Sequence, residues 1–312
     1  MELYYIQIII GVSFLAIAGN YLVKGTVNTA NFLGVSPYII SSTIVAFCTS
    51  APELFVSVFS SLNKAADAGL GNIMGSNFAN VFLALGAAAI ILPVRSDGLY
   101  LKRDVIFLLA ITLLFTVLLL SGIFWKNHTA ILFILLLAAY LVYSFRYGKK
   151  HPEEVLKSPE IKPYKSLFQM SIGIIGVMLG SILLVAGAKS MAIDFSISAT
   201  IIGLSILALG TSLPEVVISL IASIKKEYNV AIGNIVGSNI FNVLGIGAAT
   251  VIADIYDSGG RSGSGYSLTE TYPLIVAAVF LLLFSLMKWN YKRPVGIIFV
   301  LTYFCWFIAL YA

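Results

Sequence analysis

Thr49-Ser50-Ala51-Pro52-Glu53 returns as Thr211-Ser212-Leu213-Pro214-Glu215, 162 residues further along the chain. Each copy lies in a hydrophobic run long enough to cross a bilayer, which takes about 20 residues. Each is also followed, at the same distance, by Gly-Asn-Ile-x-Gly-Ser-Asn-x-x-Asn, at residues 71–80 and 233–242. Residues 36–90 slide onto 198–252 at that single offset without a gap, and the polar and glycine positions are kept best. The chain is an internal duplication, and the polar core of the repeat is the candidate site.

Composition sets the solvent. With 59% hydrophobic and 11% charged residues and a mean hydropathy of +0.98, the chain is far more apolar than a soluble protein, where about 25% of residues are charged. It reads as an all-α integral membrane protein, because strands of a membrane barrel would alternate over roughly 10 residues instead of running apolar for 20. The start, Met1-Glu2-Leu3-Tyr4, lacks the basic segment of a cleavable leader, so the first helix is expected to stay. Cys48 and Cys305 are the only cysteines. They suggest neither a disulfide framework nor a metal cluster. The net charge of +5 sits in loops, where it sets topology, so nucleic acid is not an expected partner.

Ten spans are expected, near 3–23, 37–62, 69–92, 104–122, 129–146, 167–188, 198–224, 229–252, 271–288 and 294–311. They divide the chain into a first five-helix repeat (1–146), a polar linker (147–165) and a second five-helix repeat (166–312). Of the 19 Lys and Arg residues, only Lys64, Lys126, Lys189 and Arg261 fall on one side of this arrangement. The positive-inside rule therefore places the linker in the cytoplasm and both termini outside. Since five is odd, the second copy enters the membrane from the opposite face. Inverted repeats with Gly- or Pro-interrupted helices at matching positions are the sequence pointer to a secondary transporter with a site near the midplane.

Of the 14 acidic residues, Glu53 and Glu215 are the two expected mid-span, where a charge costs about 2.5–3.5 kcal/mol on insertion scales. No Lys or Arg is expected at that depth, which leaves a mobile cation as the partner. If the two carboxylates converge they repel and titrate together, and a divalent ion, two monovalent ions or protons would each relieve the pair. Pro52 and Pro214 lack an N–H, so a local break would free carbonyls near Thr49 and Thr211. Asn72, Ser76 and Asn80, like Asn234, Ser238 and Asn242, recur at i, i+4, i+8 on one helical face. These are hard oxygen donors without His or thiolate, a set that suits Ca²⁺ or Na⁺ and not Zn²⁺ or Cu⁺. The plainer readings are a capping box at Ser50-x-x-Glu53 and Ser212-x-x-Glu215, and interhelical hydrogen bonding for the Asn and Ser stripes. The pairing of both glutamates with an inverted repeat favours a functional role.

The two stretches resemble the alpha repeats of the sodium/calcium exchangers of the cation/calcium antiporter superfamily, in particular its short prokaryotic members. The segments that carry the resemblance are Gly210-Thr211-Ser212-Leu213-Pro214-Glu215 and Gly233-Asn234-Ile235-Val236-Gly237-Ser238-Asn239. The resemblance implies four cation positions at the midplane. A calcium position would be made by Glu53 and Glu215 with the Thr49 and Thr211 carbonyls. One flanking sodium position would use Glu53, Ser76, Ala208, Thr211 and Ser212; its mate would use Glu215, Ser238, Ala46, Thr49 and Ser50. A middle position would involve both glutamates with Asn80 and Asn242. Ca²⁺ and Na⁺ would then be transported substrates competing for shared glutamates, with no cofactor, no required protein partner and no enzymatic activity.

Two departures stand out: Asn242 where some relatives carry Asp, which argues against potassium coupling, and Cys48 where Gly is usual. The expected function is Na⁺/Ca²⁺ antiport by alternating access in the cell membrane, moving spans 1 and 6 against the rest. Proton coupling on the same fold is the nearest alternative, and a passive cation channel a more distant one. An intramembrane enzyme is remoter, since Ser50 and Ser212 lack a mid-span His or Lys to activate them.

Overall fold

The structure is a computed structural model, described here for residues 2–93, 98–150, 163–195, 208–259, 267–287 and 293–309. Among these residues every regular element is helical. In chain order they are α1 (Glu2–Leu33), α2 (Pro37–Ile40), α3 (Ala46–Thr49), α4 (Ala51–Leu62), α5 (Ala66–Ala79), α6 (Gly86–Ile91), α7 (Leu99–Leu120) and α8 (Asn127–Lys150). After the linker come α9 (Pro163–Asp194), α10 (Ala208–Thr211), α11 (Leu213–Ile224), α12 (Tyr228–Phe241), α13 (Gly247–Ser258), α14 (Leu268–Met287) and α15 (Arg293–Ala309). The start of the expected seventh span (198–207) and most of the linker and of the loop 257–265 lie outside the described residues. Among the described residues seven helices are long and apolar enough to cross a membrane, or eight if the bent pair Pro37–Thr49 and Ala51–Leu62 is one span. α11 and α15 are shorter apolar helices.

α1 and α9 are each 32 residues long, well beyond the expected spans 3–23 and 167–188. Their polar ends continue as helix because they pair with each other, Asn28 Nδ2 donating to Gln169 Oε1 at 3.1 Å. α1 stops where Gly34 takes φ +67°. Its amide and that of Val35 turn back onto the Asn31 and Ala30 carbonyls, a left-handed helix end that glycine adopts at least cost. Ser36 then caps the next helix, accepting from the Tyr38 amide at 3.3 Å with proline in the first turn.

The two long helices run antiparallel and touch backbone to backbone. A Cβ added at Gly25 would lie 2.4 Å from the Met170 amide nitrogen, one at Gly173 2.4 Å from that of Leu22, and one at Gly11 2.7 Å from that of Leu184. Small residues at such contacts are how membrane helices pack without a hydrophobic driving force between them.

The elements around the repeated motifs match between the copies. α4 and α11 have 12 residues each, α5 and α12 have 14 each, and α3 and α10 have four each. A π-helical turn starts at Asn80 and another at Asn242, each following directly on α5 or α12. A third, Ser41–Val45, joins α2 to α3. Such turns widen the helix by one residue and are common at functional sites.

Candidate ion-binding site

The helix breaks expected at the prolines fall at Ser50 and Ser212. Their backbones are nearly superimposable in angle, φ −83° and ψ 9° against φ −86° and ψ 3°. At the first break the axis bends by 43°. Pro52 and Pro214 occupy the first turn of α4 and α11, where a missing N–H costs nothing.

Although Ser50 and Ser212 hold the N-cap positions, neither caps its own helix through its side chain. Each hydroxyl instead crosses to the other repeat. Ser50 Oγ donates to Glu215 Oε1 at 3.0 Å, and Ser212 Oγ donates to Glu53 Oε1 at 3.2 Å. The capping-box reading is thereby replaced: one carboxylate oxygen of each glutamate is held by the serine that precedes the other glutamate. Both glutamates are fully buried, and their second oxygens, Glu53 Oε2 and Glu215 Oε2, have no hydrogen-bond partner among the described residues.

The asparagines interlock the same way. Asn80 Nδ2 donates to Asn239 Oδ1 at 2.9 Å, Asn242 Nδ2 donates to Ser76 Oγ at 3.0 Å, and Asn239 Nδ2 donates to the Asn77 carbonyl at 3.4 Å. With their NH₂ groups engaged across the repeat boundary, Asn80 and Asn242 keep their amide oxygens Oδ1 unpartnered and buried. Four buried oxygens without protons thus stand unmatched on interlocked residues. Buried polar atoms are ordinarily paired, and orphans call for a ligand.

The other expected residues fall around this set. Ser238 Oγ donates to Glu215 Oε1 at 3.3 Å and lies 3.4 Å from Thr49 Oγ1, which donates to Asn234 Oδ1 at 3.1 Å. Ser76 Oγ, its pseudosymmetric mate, turns to the Ile73 carbonyl at 3.2 Å. Ala46 is buried, its carbonyl accepting from the Ser50 amide at 3.0 Å; Ala208 and Thr211 bound α10, with Thr211 half-buried. Asn72 serves as an interhelical tie, donating to the Glu53 carbonyl at 3.1 Å and to Ser57 Oγ at 3.0 Å.

Sequence reading missed Asn77 and Asn239, although both follow the serine of the repeated Gly-Ser-Asn and were open to the same comparison of copies. It also missed Asp104, which is fully buried in α7. Asp104 is answered by its neighbour Arg103 at 2.5 Å and by the Tyr140 hydroxyl at 3.1 Å. That carboxylate is compensated within the protein, whereas those of Glu53 and Glu215 are not.

The chain belongs to the sodium/calcium exchanger family of membrane antiporters. The model of the sodium/calcium exchanger protein family matches residues 3–146 and 165–312, both halves of the chain. The putative antiporter CaxA of Alkalimonas amylolytica is 34% identical over 297 residues, covering 92% of this chain and 91% of that protein. The sodium/calcium exchanger MaX1 of Methanosarcina acetivorans is 28% identical over 349 residues and covers 98% of each chain. Among solved structures, the sodium-calcium exchanger NCX_Mj soaked with 10 mM Na⁺ and no Ca²⁺ superimposes with a TM-score of 0.84 at 28% identity, over 97% of both chains. The protein is therefore a multi-pass membrane antiporter for cations including calcium.

Proposed function

We propose that this antiporter exchanges Na⁺ for Ca²⁺ by alternating access, using a single midplane site shared by both ions. The observation that carries the reading is the set of four buried, unpartnered oxygens: Glu53 Oε2, Glu215 Oε2, Asn80 Oδ1 and Asn242 Oδ1. Two carboxylates balance one Ca²⁺ or two Na⁺, and the neutral oxygens supply the further ligands that Ca²⁺, which takes about 6–8, requires. Thr49, Thr211, Ser50, Ser212, Ser76, Ser238, Ala46 and Ala208 complete the pocket from the flanking turns.

The same reading extends to architecture: ten spans, arranged as two inverted five-helix repeats. It is supported by the equal lengths of α4 and α11 and of α5 and α12, and by the antiparallel course of α1 and α9, which stand at corresponding places in the two halves. Their backbone-to-backbone packing makes them the natural pair to slide as one body. The Lys and Arg distribution supports a cytoplasmic linker 147–165 with both termini outside, in the cell membrane.

Proton coupling is the competing reading, because the same glutamates could carry protons. The test is ⁴⁵Ca²⁺ uptake into sodium-loaded proteoliposomes diluted into sodium-free buffer, with pH clamped on both faces and choline-loaded vesicles as control. Uptake that needs internal sodium is the expected result. Uptake indifferent to sodium but driven by an imposed pH gradient would replace sodium with the proton.

A further inference from the structure

The two repeats carry the same polar residues past the glutamate, yet only the first repeat satisfies them. In the α4–α5 pair, Ser57 Oγ donates to the Gly69 carbonyl at 3.1 Å, Ser61 Oγ to the Ser57 carbonyl at 3.0 Å, and Asn72 Nδ2 to Ser57 Oγ. The corresponding residues of the α11–α12 pair are Ser219, Ser223 and Asn234. All three are fully buried, and Ser219 Oγ, Ser223 Oγ and Asn234 Nδ2 have no hydrogen-bond partner among the described residues.

One sequence difference bears on the bond between the two helices, the one Ser57 makes and Ser219 does not. A Cβ at Gly69 would lie 2.8 Å from the Ser57 carbonyl oxygen, so α4 and α5 approach through a position that tolerates no side chain. The second repeat has Ala231 there. Its methyl group denies α11 and α12 the same approach, and the hydroxyl of Ser219 is left short of an acceptor. The turn at the end of this pair differs too, with half-buried Glu227 where the first repeat has Ala65.

Buried donors without partners cost free energy, and a native fold keeps them for a reason. Here they are aligned. Glu215, Ser219 and Ser223 recur at i, i+4, i+8 on one face of α11, leading from the break at Ser212 to Lys225 and Lys226. We infer that the α11–α12 seam is the path by which water and the passing cation move between Glu215 and the Lys225 face, the cytoplasmic one by the charge count. Ser219, Ser223 and Asn234 line it when it opens. The corresponding α4–α5 seam is sealed by its own hydrogen bonds. This assignment rests on the exchange reading for the identity of the passenger.

The test starts from the full chain with Cys48 and Cys305 replaced by alanine, reconstituted in vesicles. Ser219→Cys and Ser223→Cys are exposed in turn to a charged, membrane-impermeant thiosulfonate on the Lys225 face, and Ser57→Cys and Ser61→Cys to the same reagent on the Lys64 face. Residues 219 and 223 are expected to react at least about tenfold faster than 57 and 61. Equal or absent reactivity at 219 and 223 would overturn the path.

Alanine variants keep the proposal testable if a cysteine disrupts folding. Ser219→Ala deletes an unmet donor, so the melting temperature holds or rises while turnover falls at unchanged half-saturating Ca²⁺ on the opposite face. Ser57→Ala deletes satisfied bonds and lowers the melting temperature. A Ser219→Ala that melts early, as Ser57→Ala does, would make the hydroxyl a structural tie and end the proposal. Thiol labelling requires no flux, so a failure of sodium-driven Ca²⁺ uptake would remove the exchange reading and leave the seam standing.

Discussion

At the residue scale, what decides the site is which polar atoms are answered by the protein and which are not. Asp104 and the two glutamates are equally buried, but Asp104 has a guanidinium and a phenol, while Glu53 and Glu215 each keep one bare oxygen. Replacing Glu53 or Glu215 by Gln removes a charged ligand, worth about 1.5–3 kcal/mol as a charged hydrogen-bonding group. Half-saturating Ca²⁺ in ⁴⁵Ca²⁺ uptake should therefore rise about 10- to 100-fold in each variant. Retained wild-type exchange in both would remove the glutamates from the site.

The Ser-x-x-Glu pattern by itself encodes a cap and a cross-repeat bond equally well; the resemblance to the exchanger repeats groups Ser50 with Glu215 and Ser212 with Glu53, and the fold adds the direct hydrogen bonds between them. Glu227 gives a separate residue-scale expectation. Burial pushes its carboxyl above the ordinary glutamate range, against the opposing pull of Lys225. The folded chain thus binds that proton more tightly than the unfolded one, and the stability it lends is present at acid pH and lost as pH rises through the folded value. Glu227→Gln should raise the melting temperature at pH 8, and the difference should vanish below about pH 4, the usual glutamate range.

At the element scale, glycine placement fixes how closely helices approach. The α1–α9 contact leaves no room for a methyl group at Gly173, so Gly173→Ala should destabilise the fold by about 1–3 kcal/mol, the usual cost of overpacking. Thermal unfolding in detergent checks it; an unchanged melt would mean that the helices part freely. The turns between α4 and α5 and between α11 and α12 hold Lys64 and Lys226 at φ 59° and 63°, a left-handed conformation that costs a side-chain-bearing residue roughly 1–2 kcal/mol. Lys64→Gly and Lys226→Gly should each stabilise by up to about 1 kcal/mol, after glycine's greater unfolded-state entropy is subtracted.

Hydropathy located the long spans that the structure describes, seven or eight of the ten expected, because the bilayer dictates their length. It did not give the full reach of α1 or the π turns at Asn80 and Asn242. The first depends on Gln169 waiting across the seam, and the second on packing that no local pattern records.

At the scale of the whole molecule, duplication was the most legible feature, since a single offset aligned the polar residues around both glutamates without knowledge of the fold. The differences between the copies carried less signal. Gly69 against Ala231 reads as a conservative change until the Ser57 backbone is found where the methyl would lie. Exchange itself gives a whole-molecule prediction: reversing the sodium gradient should reverse net Ca²⁺ movement in the same vesicles. Flux that ignores that reversal at fixed pH would exclude sodium as the counter-ion.

The crossed bonds between Ser50 and Glu215 and between Ser212 and Glu53 also bear on how the chain is made. Until residue 212 has been translated, the carboxylate of Glu53 lacks the hydroxyl that holds it, and the nascent first half presents a lone acid to the lipid. A chain terminated in the linker should consequently be recognised as faulty and degraded. The two halves, synthesised separately from a gene cut between residues 147 and 165, should rescue one another by supplying the missing serine in trans.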